Sequence, residues 1–70
     1  MNRDFPKRLR HLRTRRGLSQ QVLGERCGLS KSSISLYEMG QVEPTASSLK
    51  KIAECFGVSV DYLLGLKENF

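Results

Sequence analysis

Hydrophobic residues recur every three or four positions in five separate stretches of this chain, and no stretch alternates apolar and polar residues for long. That period belongs to helices, so the pattern predicts an all-α fold. The first stretch, about Phe5 to Arg16, sets Phe5, Leu9 and Leu12 on one stripe. Pro6 suits a first turn, Arg15 and Arg16 complement the carbonyl end of a helix, and Gly17 stops it. Three later stretches announce their starts alike: Leu18-Ser19 before Leu23, Leu29-Ser30 before Ile34, and Val58-Ser59 before Leu63. Each serine can cap orphan backbone N–H groups, and the residue before it can staple onto the apolar residue five positions on. These signals predict helices over Gln20 to Cys27, Ser30 to Met39 and Val60 to Leu64. The fourth helix runs from a Thr45 cap to about Phe56, with Leu49, Ile52, Ala53 and Phe56 on its inner face and Gly57 behind it.

The third helix is unusual in carrying Ser30, Ser32, Ser33 and Ser35, although serine is a mediocre residue for a helix interior. On a helical wheel Ile34 and Tyr37 share one arc and must pack inward. The opposite arc holds Lys31, Ser32, Ser35, Leu36 and Met39. A solvated face would more often carry Glu/Lys pairs four apart; this arc has no acid. Small hydroxyl residues let a helix approach another surface closely, and their O–H groups donate or accept. Only Gly28-Leu29-Ser30 separates this helix from the one before it. Gly28 permits the left-handed turn that ends a helix, and Leu29 should plug the angle. Gly24, costing ~1 kcal/mol against alanine in a helix interior, implies a close backbone approach. Two short helices at a steep angle, the second facing outward, make a helix-turn-helix whose second helix fits the ~12 Å major groove of duplex DNA.

Charge sharpens this picture. The net charge is +5, and it is lopsided: residues 1–31 hold nine basic and two acidic residues, net +7, and residues 32–70 hold three and five, net −2. A basic half beside a mildly acidic one suits a polyanion met by one face, although a solvated arginine-rich surface would look similar. At 70 residues the chain makes one domain, 1–70, with a core over about 5–65 and the helix-turn-helix over about 19–39. Such a domain buries only ~60% of its unfolded surface. Cys27 and Cys55 fall at apolar helical positions and read as buried reduced thiols rather than a disulfide. With one histidine, His11, and no CxxC spacing, no metal site is expected. No catalytic constellation or phosphate loop is present, so the chain reads as no enzyme and needs no cofactor. No apolar run approaches a membrane span and no secretory leader is visible, which sets the expectation of a cytoplasmic, nucleoid-associated protein.

With those elements placed, the chain from about Arg8 to Gly65 resembles the phage-repressor-like (Cro/repressor, XRE) helix-turn-helix family. The elements that carry the resemblance are RTRRGLSQ at 13–20, GLSKSSIS at 28–35, YEMG at 37–40, Pro44 before the fourth helix, and GVSVDYLLG at 57–65. The resemblance implies a five-helix, lambda-repressor-like DNA-binding domain. It implies a transcriptional regulator, a repressor by preference, that binds double-stranded DNA as a homodimer on a two-fold operator. By position it implies that Lys31, Ser32, Ser35 and Leu36 meet bases, with Ser35 also near phosphate. Gln20 would bond a phosphate and brace the recognition helix, Ser30 and the backbone near Met39 and Gly40 would lie near phosphates, and Arg13 and Glu38 would form a structural ion pair. Two departures stand out. Relatives often carry arginine or a polar residue at the positions of Leu36 and Met39, and the loop Gln41-Val42-Glu43 lacks the basic residues some relatives aim at phosphate. Apolar contact with thymine methyls by Leu36, and donation from Lys31 to guanine O6 or N7, are then the expected readout.

Among the arginines, Arg8 and Arg10 are candidates for phosphate, with Arg15 and Arg16 in the same class. Tyr37 reads as core and His11 as surface; Met39 stands between groove edge and packing. Leu63, Leu64, Leu66 and Phe70 suggest a dimer seam, with Leu63 better suited to the core. The alternative function is an antitoxin or protein-interaction module on the same fold; RNA binding lacks the aromatic stacking set it would need. No small-molecule ligand is evident.

Overall fold

Four hydroxyl caps fix where the helices begin. The computed structural model describes residues 4–69, which form α1 (Asp4–Arg15), α2 (Gln20–Cys27), α3 (Lys31–Glu38), α4 (Ala46–Phe56) and α5 (Val60–Leu63). Ser19, Ser30, Thr45 and Ser59 each precede a helix in extended backbone, and each side chain accepts from the N–H three residues on. No strand occurs among the described residues. The expected all-α, five-helix architecture is what the chain adopts. The differences lie at the ends: α1 starts one residue early, and Ser30, Met39 and Leu64 flank their helices as caps.

The staples close as well. Leu18, Leu29 and Val58 pack half-buried against a core in which Leu23, Ile34 and Leu63 have no exposure. That core takes side chains from all five helices, with Phe5, Leu9, Leu23, Ile34, Ile52 and Leu63 the largest fully buried. Phe5 and Tyr37 meet edge to face, ring centroids 5.7 Å apart. The Tyr37 phenol donates to Ser48 Oγ at 3.1 Å, and Ser48 also accepts from the Thr45 hydroxyl at 3.1 Å. A buried polar tip thereby finds its partner and ties α3 to the start of α4. Cys27 and Cys55 are free thiols, the first buried and the second half-buried. No helix among the described residues is long and apolar enough to cross a membrane.

Two arginines close helix ends. Arg16 Nη2 donates to Phe56 O at 2.8 Å, the last carbonyl of α4, with its guanidinium 5.3 Å from the Phe56 ring centroid. Arg8 Nη1 donates to Tyr62 O at 2.9 Å and Lys67 O at 2.7 Å, and its guanidinium lies 4.4 Å from the Tyr62 ring centroid. Carbonyls at a helix C-terminus lack intrahelical donors and carry partial negative charge, so cations bind there favourably.

Candidate nucleic-acid interface

The placing of α3 starts at Gly24. A Cβ on this residue would stand 2.6 Å from the carbonyl oxygen of Leu29, so α2 reaches the turn before α3 only because no side chain intervenes. Gly28 follows in the left-handed region, φ 73°, and ends α2. Leu29 N then donates to Gly24 O at 2.8 Å, locking the turn. Ser30 starts α3 by accepting from Ser33 N at 3.0 Å and donating to Ser33 Oγ at 3.0 Å.

The far end of α3 is held by charge. Arg13 Nε donates to Glu38 Oε2 at 2.6 Å and Nη2 to Oε1 at 3.0 Å, a bidentate pair. Arg13 Nη1 donates to Leu18 O at 2.8 Å, and Gln20 Nε2 to Glu38 Oε1 at 3.2 Å. The Glu38 side chain is only 5% exposed and that of Arg13 14%. The hydrogen bonding it donates to Glu38 raises the pKa of the Arg13 guanidinium above its ordinary value, with desolvation opposing and the carboxylate's charge adding. One network thus joins the end of α1, the start of α2 and the last residue of α3.

Between these anchors the outer arc of α3 stands clear of the core. Lys31 and Ser32 are exposed, and Ser35 and Leu36 are half-buried. The four together line one shallow open hollow. Ile34 and Tyr37, on the opposite arc, are buried. Met39, ambiguous in sequence, is 57% exposed. The only carboxylate of α3, Glu38, is turned away into the Arg13 network, which leaves the arc without an acid.

Two arginines depart from expectation. Arg8, read as a phosphate contact, is committed to the carbonyls of Tyr62 and Lys67 and lies 3.7 Å from Glu68. Arg16 is likewise committed to α4. The backbone at Met39 and Gly40, expected near phosphates, ends α3, with Met39 N donating to Ser35 O at 3.0 Å and Gly40 N to Tyr37 O at 3.1 Å. Ser30 acts as the cap of α3, so its hydroxyl is engaged. Arg10 is exposed on α1 and makes no side-chain hydrogen bond or ion pair among the described residues. Among those residues no group of His, Cys, Asp and Glu could hold a metal. Leu63 is core, Leu66 is 71% exposed, and Phe70 lies outside the described residues.

Residues 9–63 match the family described as helix-turn-helix. The chain belongs to that family. Over 60 residues it is 38% identical to the prophage-derived HTH-type transcriptional regulator YonR of Bacillus subtilis, a match covering 86% of this chain and 56% of YonR. The chain thus spans about half the length of that relative. Among solved structures it is similar to the P22 c2 repressor protein in complex with a synthetic operator. The TM-score is 0.81 at 30% identity, over 84% of this chain and 89% of that one. It is also similar to the restriction-modification controller protein C.AhdI of Aeromonas hydrophila, with TM-score 0.80 at 35% identity, over 86% of this chain and 91% of that one. Within this helix-turn-helix, sequence reasoning missed the Leu18 carbonyl as the third arm of the Arg13 network. A backbone acceptor leaves no residue signature.

Proposed function

We propose that this chain binds double-stranded DNA in a sequence-specific way, as the DNA-reading part of a transcriptional regulator, with α3 in the major groove. The observation that carries this reading is the acid-free arc of Lys31, Ser32, Ser35 and Leu36, exposed between two anchored helix ends. The net charge of +5 favours a polyanion. The first N–H groups of α3 lie beside the arc, where they suit phosphate. Gln20 uses one amide N–H on Glu38; its second serves a phosphate in this reading, and exposed Arg10 another. Repression is the output we propose, by occlusion of a promoter, in keeping with the similarity to the P22 c2 repressor. Residues 1–70 act as a single domain in this reading, at the nucleoid of the cytoplasm.

The same reading takes the active form to be a homodimer. An apolar hollow of about 150 Å³, lined by Phe5, Pro6, Val42, Pro44, Leu49 and Leu64 beside Glu43, offers a surface for a second copy. Two copies, each up to 27 Å across, can set two recognition helices one duplex turn, ~34 Å, apart.

Selection of bound duplexes from a random pool tests this directly. A two-fold motif is the expected result, and replacing Lys31 and Ser32 together with alanine should abolish its binding while the helical circular dichroism stays unchanged. Equal binding of every duplex, or binding that survives the double substitution, overturns the proposal; purification with a protein partner and no selected duplex favours the interaction-module reading.

A further inference from the structure

The outer arc of α3 differs from a polar reading head in what it lacks. It has no asparagine or glutamine, the side chains that pair with both adenine N6 and N7, and no carboxylate to accept from cytosine N4. Lys31, at its N-terminal end, is a donor suited to guanine O6 and N7. Ser32 and Ser35 pair with any base and, being small, let the helix sit deep. The remaining contacts are apolar. Leu36 stands half-buried in the hollow with Lys31, Ser32 and Ser35, and Met39, three residues on along the same side, is 57% exposed.

Resting on the reading of α3 as a major-groove helix, we infer that Leu36 and Met39 read the C5-methyl groups of pyrimidines, so that 5-methylcytosine and thymine are equivalent at those steps. The C5-methyl is the one apolar group a base pair presents in the major groove. A side chain that touches it gains from the methyl alone, whichever pyrimidine carries it. Five residues separate Lys31 from Leu36, a rise of ~7.5 Å, or about two base-pair steps at ~3.4 Å each. The half-site therefore places a guanine about two steps from a methyl-bearing pyrimidine, with a second such pyrimidine about one step further under Met39. Unmodified cytosine fails at the Leu36 step because it lacks that methyl.

The test begins with the full chain and the duplex that selection returns. Each thymine is replaced in turn by deoxyuracil, which removes the methyl and nothing else, and Kd is measured at fixed salt. One or two positions per half-site should weaken binding about fourfold each, the worth of one buried methyl-sized group. At those positions a cytosine duplex should recover about fourfold on C5-methylation. With Leu36→Ala the thymine and deoxyuracil duplexes should bind alike at the Leu36 step. A flat deoxyuracil series on a duplex that still binds specifically overturns the inference and leaves the DNA-binding reading intact. Failure to select any duplex overturns both. The wild-type series needs no variant, so poor folding of Leu36→Ala would not rescue the claim.

Discussion

Gly24 and the carbonyl of Leu29 approach so closely that a methyl group on Gly24 would stand 2.6 Å from the oxygen. The neighbouring backbone, Ser30 C at 3.2 Å and Lys31 N at 3.3 Å from the same point, leaves no room for relaxation by a side chain. This close approach sets the distance between α2 and α3, and so how far the reading arc projects.

Alanine at position 24 is therefore expected to destabilise the fold, against its intrinsic helix preference. The propensity gain is ~1 kcal/mol, and forcing backbone apart costs ~1–3 kcal/mol or more. Urea unfolding of Gly24→Ala should show a lower midpoint with the slope unchanged. A raised midpoint would mean that the two helices do not touch at this point.

The Arg13–Glu38 pair is expected to be costly to break and cheap to replace. Glu38, 5% exposed, would be left with an uncompensated charge by Arg13→Met, a loss of ~3–5 kcal/mol. Glu38→Leu strands the guanidinium in the same way. The double variant should recover most of that loss, because two apolar residues strand no charge. Its operator affinity should still fall, since Gln20 loses the acceptor that holds its amide. Additive losses in the double-mutant cycle would contradict a direct pair.

Arg8 and Arg10 lie two residues apart and should behave oppositely. Arg8→Ala removes charge-assisted hydrogen bonds to Tyr62 O and Lys67 O, each worth ~1.5–3 kcal/mol. It should lower the thermal midpoint and leave the salt slope of DNA binding alone. Arg10→Ala should do the reverse. Its stability should change little, and its slope of log K against log salt should be shallower by ~1 for each phosphate that Arg10 neutralises in the wild type. Similar slopes for the wild type and Arg10→Ala would remove Arg10 from the interface.

Those two arginines differ in a way the sequence does not display. The hydroxyl caps, the staples and the inward stripe of each helix are legible because they repeat at fixed spacing, and Ser19, Ser30, Thr45 and Ser59 all cap as expected. The Arg13–Glu38 pair is legible only through family resemblance. The roles of Arg8 and Arg16 are not, since each reaches a backbone carbonyl 54 or 40 residues away, and a long flexible side chain leaves no periodic trace of its target. Gly40 takes φ 70° in the turn where Gln41 N donates to Leu36 O at 3.0 Å, and a glycine alone does not say which carbonyls its turn will satisfy. Tyr37 is assignable to the core by its arc, but its partner Ser48 follows only from the packing of α3 on α4.

The thiol of Cys27 gives the last expectation, one of sign. Burial first, then a hydrogen bond and charge from neighbouring Cys55, push its pKa from an ordinary 9.0 up to about 12. In the unfolded chain the thiol ionises near its ordinary value; in the folded chain it stays neutral until about pH 12. The folded state thus binds one proton more across that window, and its stability falls as pH rises. Below about pH 9 the contribution is fully present; it is lost progressively towards pH 12. The informative quantity is the wild type minus Cys27→Val, which isolates this thiol. That difference should be flat up to about pH 9 and then decline as pH rises. Alkylation offers a second check, because the thiolate is the reacting form. With iodoacetamide at about pH 8, half-buried Cys55 should be modified ahead of Cys27, read by mass spectrometry of the two peptides. Equal labelling of the two, or a stability difference that rises with pH, would show that the Cys27 thiol is not held neutral by the fold.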